Sequence, residues 1–84
     1  MTLEIQLTED ALKDLRKIGH VAAAKIKEKL MAYAKNPAAF AHQVKKLQGV
    51  NALRLRVGDY RVLFTEDGWI LHILRVGHRR EVYR

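Results

Sequence analysis

Cysteine is absent from this 84-residue chain, and so is serine. The first absence excludes disulfides and thiolate metal sites and is compatible with a reducing cytoplasm. The second removes the commonest nucleophile, which speaks against a hydrolase that works through a covalent enzyme intermediate. Glycine-rich phosphate loops are missing too, since Gly58 and Gly77 stand singly as turn residues. The histidines at 20, 42, 72 and 78 show no metal-ligand spacing with carboxylates, so neither a metal nor another cofactor is expected. Apolar runs fall far short of a bilayer span, and MTLEIQLTED has neither the basic region nor the apolar core of an export signal. No repeat, low-complexity tract or linker divides the chain, and a single domain over residues 1–84 is expected.

What the chain does have is positive charge. Sixteen Lys and Arg against nine Asp and Glu leave +7, an excess that on so small a domain favours a polyanionic partner, nucleic acid first and an acidic protein second. The 49% apolar share is that of a globular protein rather than a disordered one. A domain this size still buries only roughly 60–65% of the surface of its extended chain.

The densest pattern is Leu53 to Val76, LRLRVGDYRVLFTEDGWILHILRV, which predicts three antiparallel strands. Gly58-Asp59 and Asp67-Gly68 are residue pairs of the kind that closes a hairpin, because the tight turn needs positive φ. A two-residue loop at Gly58-Asp59 sets Val57 opposite Tyr60, Arg56 opposite Arg61, Leu55 opposite Val62 and Arg54 opposite Leu63. Opposite side chains share a face, so Leu53, Leu55, Val57, Tyr60, Val62 and Phe64 gather on one side and Arg54, Arg56 and Arg61 on the other. The same count across Asp67-Gly68 sets Phe64 against Leu71, Leu63 against His72 and Val62 against Ile73, and brings His72 to the arginine side. Clustered guanidiniums suit phosphate or carboxylate oxygens, which they grip in pairs; a solvated outer sheet face is the other reading.

Upstream, Leu3, Ile5 and Leu7 alternate with polar residues, which predicts a short first strand. Thr8 is placed to cap a helix with Glu9 and Asp10 in its first turn and Leu12, Leu15 and Ile18 as its apolar stripe, ending at a left-handed Gly19. A second helix is predicted from about Val21 to Lys35, with Ile26, Leu30 and Tyr33 inward and Asn36-Pro37 as its stop. The pair would cover the apolar sheet face, and the many lysines on both helices suit a solvated surface. Ala38 to Gln43 is expected to be irregular, anchored by Phe40, with His42 exposed; Val44 to Gly49 is a basic approach to the sheet. The order is β-α-α-β-β-β with an optional final edge segment, an α+β domain with an N-terminal strand, an antiparallel helical hairpin and a three- to four-stranded antiparallel sheet.

Arginine, histidine and tyrosine without metal ligands suit RNA cleavage by the strand's own 2′-hydroxyl. A protein has to hold the strand in line, stabilise the extra phosphorane charge and move two protons. Arg56 and Arg61 are candidates for charge stabilisation, and His78 and Tyr83 for proton transfer. Each has a plainer reading: His78 as the end of the last strand, Tyr83 as a docked aromatic, and Trp69 as a rim residue rather than a base stacker. His20 and His42 are taken as exposed and silent.

Two segments, RLRVGDYRV from Arg54 and VGHRREVY from Val76, resemble the RelE/ParE superfamily of bacterial toxins from type II toxin-antitoxin systems. The similarity covers almost the whole chain, including the helical hairpin ending in Asn-Pro and the Lys-Leu-x-Gly approach. It implies a microbial-RNase-like fold, a cytoplasmic protein and a cognate antitoxin that masks the basic face. For the RelE branch it implies metal-independent cleavage of mRNA in the ribosomal A site. On that resemblance Arg54 and Arg56 match basic second-strand positions, Arg61 the third-strand arginine, His78 or Arg80 the late basic residue and Tyr83 the terminal aromatic. Arg54, Arg80 and Lys46 would then hold the RNA. Ala52 departs from the pattern, standing where several RelE-type toxins carry a lysine. The alternative is a ParE-like inhibitor of DNA gyrase that cleaves no RNA. A basic RNA-binding module without activity is a third reading.

Overall fold

In the computed structural model, which describes residues 2–78, the elements run β1 (Glu4–Leu7), α1 (Glu9–Ile18), α2 (His20–Lys35), a 3-10 segment (Pro37–Gln43), β2 (Val44–Lys46), β3 (Leu53–Val57), β4 (Tyr60–Glu66) and β5 (Ile70–His78). They form one five-stranded sheet in the order β1-β5-β4-β3-β2. The α+β architecture is as expected, with two additions. Val44–Lys46 is itself a strand, antiparallel to β3, and β1 joins the far edge parallel to β5, so the sheet is mixed. The two helices carry the chain from the β1 edge to the β2 edge, and they form part of the long path from β1 to its parallel neighbour β5.

Thr8 caps α1 as the sequence predicts, its Oγ1 accepting from the Ala11 N–H at 3.0 Å. Gly19 ends that helix and begins the next at φ 91°, ψ 157°. This positive-φ region differs from the left-handed helical one and is open in practice only to glycine. Leu12, expected in the core, is 42% exposed, because the inward stripe runs through Ala11 and Leu15 instead. Helix α2 stops at Asn36, with Pro37 opening the 3-10 segment.

Sheet and helices enclose one core in which Ile26, Leu30, Leu55, Val62, Phe64, Leu71 and Ile73 are essentially without exposed surface. Each such side chain contributes on the order of 1.5–3 kcal/mol of burial. Tyr33 is buried edge-on to Phe64, with ring centroids 5.3 Å apart, and its hydroxyl donates to Glu66 Oε1 at 2.9 Å. Burial and the neighbouring Glu66 carboxylate push the phenol well above its ordinary pKa. No helix among the described residues is long and apolar enough to cross a membrane.

Candidate nucleic-acid interface

The first hairpin has the register expected of it: Arg54 pairs with Leu63, Leu55 with Val62, Arg56 with Arg61 and Val57 with Tyr60. Gly58, at φ 59°, supplies the positive φ of the turn, while Asp59 keeps a negative one, the pattern of a turn with glycine in its first central position. The consequence is an arginine face. Arg54, Arg56 and Arg61 line one open groove of about 260 Å³ together with His42, Gln43 and Lys45. Arg54 and Arg61 are half-buried and Arg56 is exposed. The Arg61 Nε is shielded from solvent.

Three members of this groove, Lys45, Gln43 and His42, were not legible as such. Lys45 enters because β2 pairs with β3 and sets Lys45 opposite Arg54. Lys46 pairs with Leu53 and so takes the apolar parity; it lines a separate depression with Asn51, Ala52, Leu53, Thr65 and Glu66. His42 enters because the 3-10 segment brings it to the edge of the arginines. That segment is anchored by Phe40, whose ring lies 6.2 Å from Tyr33 and under the Lys29 ammonium at 5.1 Å. The sequence carried little signal for Lys45, since Val44-Lys45-Lys46 does not alternate and a strand so short has too few residues to declare itself.

The second hairpin differs from its predicted register. Phe64 pairs with Ile73, Thr65 with His72 and Glu66 with Leu71, so the pairing is displaced by two residues and three residues, 67–69, separate the strands rather than two. Asp67 closes it: its Oδ1 accepts from the N–H groups of Trp69 and Ile70 at 3.0 and 2.8 Å. Those two backbone donors hold the Asp67 carboxyl below the usual carboxylate range. A shift of two residues preserves faces, so His72 stays on the arginine side, yet it sits 3.9 Å from Asp67 Oδ2 and outside the groove.

Further along β5 the alternation breaks. Leu63 pairs with Arg75 and Val62 with Val76, which makes Leu74 an extra residue in a bulge. Helix α1 and its cap hold that bulge. The Thr8 hydroxyl donates to the Leu74 carbonyl at 2.9 Å, and Asp14 accepts from the Val76 N–H at 2.9 Å and from Arg75 Nε at 2.8 Å and a terminal Arg75 nitrogen at 3.2 Å. Burial works against the Asp14 charge, but the Arg75 guanidinium and the Val76 N–H outweigh it and hold this carboxyl low.

The bulge decides where the late residues point. Arg61 pairs with Gly77 and Tyr60 with His78, so His78 shares the face of Tyr60, against whose ring it stands edge-on at 6.0 Å. His78 is thus separated by parity from Arg54, Arg56 and Arg61. Arg80 and Tyr83, and the optional final edge segment, lie outside the described residues. Trp69 is 67% exposed at the tip of the second hairpin, away from the groove. Among the described residues no three His, Asp or Glu side chains cluster in a way that holds a metal ion.

The groove can bind a phosphate diester. Its four cationic side chains lie along two adjacent strand pairs, and guanidiniums offer paired donors that remain charged at any relevant pH. Comparison with known proteins bears on the family and the fold. The family described as the ParE toxin of type II toxin-antitoxin system, parDE, matches over residues 5–83. Among solved structures, a RelBE toxin-antitoxin complex from Mycobacterium tuberculosis superposes with a TM-score of 0.81 at 26% identity, covering 94% of this chain and 100% of that one. The intact RelBE complex of E. coli gives 0.71 at 26%, covering 90% and 95%. The archaeal RelE-RelB complex of Pyrococcus horikoshii gives 0.77 at 23%, covering 96% and 99%, a likeness of fold. No curated protein sequence is a significant match.

Proposed function

The chain belongs to the ParE toxin family of type II toxin-antitoxin systems, and from that membership and the arginine groove we propose that it is a metal-independent endoribonuclease that cuts mRNA on the ribosome. The observation that carries the proposal is the convergence of Lys45, Arg54, Arg56 and Arg61 on one groove with no carboxylate among the described residues of its lining. An RNA backbone laid there meets Arg56 and Arg61 directly across the β3–β4 pair, where they stabilise the charge that builds on the phosphoryl oxygens. Arg54 and Lys45, one strand pair further out, hold the adjoining phosphate. The 2′-hydroxyl then attacks its own phosphorus, the bond to the 5′-oxygen breaks, and a cyclic phosphate and a 5′-hydroxyl end result. Assignment of Arg80 to strand holding and Tyr83 to proton transfer rests on the sequence resemblance, while His78, on the face of Tyr60, is set apart from the groove and is not given a role in it. The partner of the resting protein is a cognate antitoxin, as in the toxin-antitoxin complexes whose fold it shares, and the cytoplasm is where both partners meet it.

The test is cleavage mapping on translating ribosomes with wild type and Arg61→Ala. Wild type is expected to cut the message, and Arg61→Ala to lower the single-turnover rate by about 10²-fold or more. The family description names ParE, which keeps gyrase inhibition as the second reading. Intact message together with blocked supercoiling by purified gyrase would transfer the assignment to it.

A further inference from the structure

Among the described residues six side chains line the arginine groove, and five of them are Arg, Lys or Gln. A guanidinium and an ammonium have no lone pair to accept a proton, and an amide does not exchange one at useful rates. Cleavage through a 2′-hydroxyl nevertheless requires that hydroxyl to lose its proton. The sixth side chain is His42, and imidazole is the group whose ordinary titration range brackets neutral pH. The remaining described histidines are placed elsewhere. His20 opens α2 beside Leu12 and Lys27, His72 lies by Asp67, and His78 stands against Tyr60 on the other sheet face. His42 is exposed, lines the groove and makes no hydrogen bond or ion pair among the described residues, so neither ring nitrogen is held by another described group of the fold. Its position is nevertheless set by structure, because Phe40 pins the 3-10 segment two residues before it and β2 begins two residues after it.

We propose that His42 is the proton acceptor of this groove. Resting on the nuclease reading above, it takes the 2′-hydroxyl proton of the nucleotide whose phosphate lies across Arg56 and Arg61. As the proton moves to an imidazole nitrogen, the 2′-oxygen bonds to phosphorus and the bond from phosphorus to the 5′-oxygen breaks. The departing 5′-oxygen takes a proton from water. The imidazolium left behind returns its proton to solvent, which the exposure of His42 permits. The arginines carry charge and hold geometry throughout, and no proton passes through them.

Single-turnover cleavage on programmed ribosomes, run from about pH 5.5 to 8.5 with wild type, His42→Ala and His42→Gln, tests the assignment. Affinity for the same message carrying a 2′-deoxy nucleotide at the cut site is measured in parallel. Both variants are expected to lose about 10²-fold in rate and the fall in rate toward acid pH that marks a titrating base, with affinity within about twofold of wild type. An unchanged rate in both variants, with Arg61→Ala still inactive, overturns the role of His42 and leaves the nuclease reading standing. A rate loss matched by an equal affinity loss, with the acid limb intact, makes His42 a binding contact and also overturns it. Message left uncut by wild type removes the nuclease reading itself, and His42 with it.

Discussion

Replacing Asp14 by alanine tests the device that aims the end of the sheet. The carboxylate accepts the part-buried Val76 N–H at 2.9 Å and both a side and an end nitrogen of Arg75. Without it the Val76 donor is left unsatisfied next to the core, at about 1–3 kcal/mol. The Arg75 side chain is 56% exposed, so its pair with Asp14 adds only about 0–1 kcal/mol after solvent screening. The sum is about 1–4 kcal/mol, which for a domain of this length lowers the Tm by roughly 4–30 °C. Asp14→Asn keeps an acceptor for the Val76 N–H and should lose about half as much. Because the folded carboxyl titrates below its unfolded value, the stability it confers is complete above the unfolded pKa of about 3.9 and is lost as pH falls through the lower, folded one. Urea unfolding at neutral pH and in acid measures both effects. The gap between wild type and Asp14→Ala should be widest at neutral pH and close in acid. A neutral-pH difference under about 0.5 kcal/mol would refute the claim that this contact holds the bulge.

Two further outcomes are expected. Lys45→Ala should weaken binding of a non-cleavable RNA and reduce the slope of log K against log salt by about 0.7, as for one phosphate contact to a single strand, while Lys46→Ala, on the other parity, should leave the slope unchanged; equal slopes in the two variants would contradict the register argument. Tyr33→Phe removes the hydrogen bond to Glu66 and should cost about 0.5–1.5 kcal/mol by urea unfolding at neutral pH. The Tyr33 pKa is raised on folding, so this stability is complete below the unfolded value of about 10 and lost as pH rises beyond it, and a wild type whose advantage persists unchanged into strong base would contradict that linkage.

Local rules were enough for much of the molecule. Gly58-Asp59 permits only a tight turn, and once the loop is two residues long every pairing from Leu53 to Phe64 follows by counting, which is why Arg54, Arg56 and Arg61 shared a face on paper and share a groove in space. Thr8, Gly19 and Asn36-Pro37 bounded the helices within a residue or so, because caps and stops act on their immediate neighbours. The order of strand, two helices and three strands was determined in the same way, and so was the positive charge that called for a polyanion. Long-range contacts decided the remainder. Which way β1 runs beside β5, that three residues after Gln43 make an edge strand, and that Leu74 is skipped in pairing all depend on groups up to 66 positions apart in the chain. The skipped residue reverses the alternation that put His72 with the arginines and turns His78 away from them, while the edge strand and its 3-10 lead bring in Lys45 and His42. Alternation along a strand is a local property, but the parity with which it starts again after a bulge is set by the helix that bonds to it.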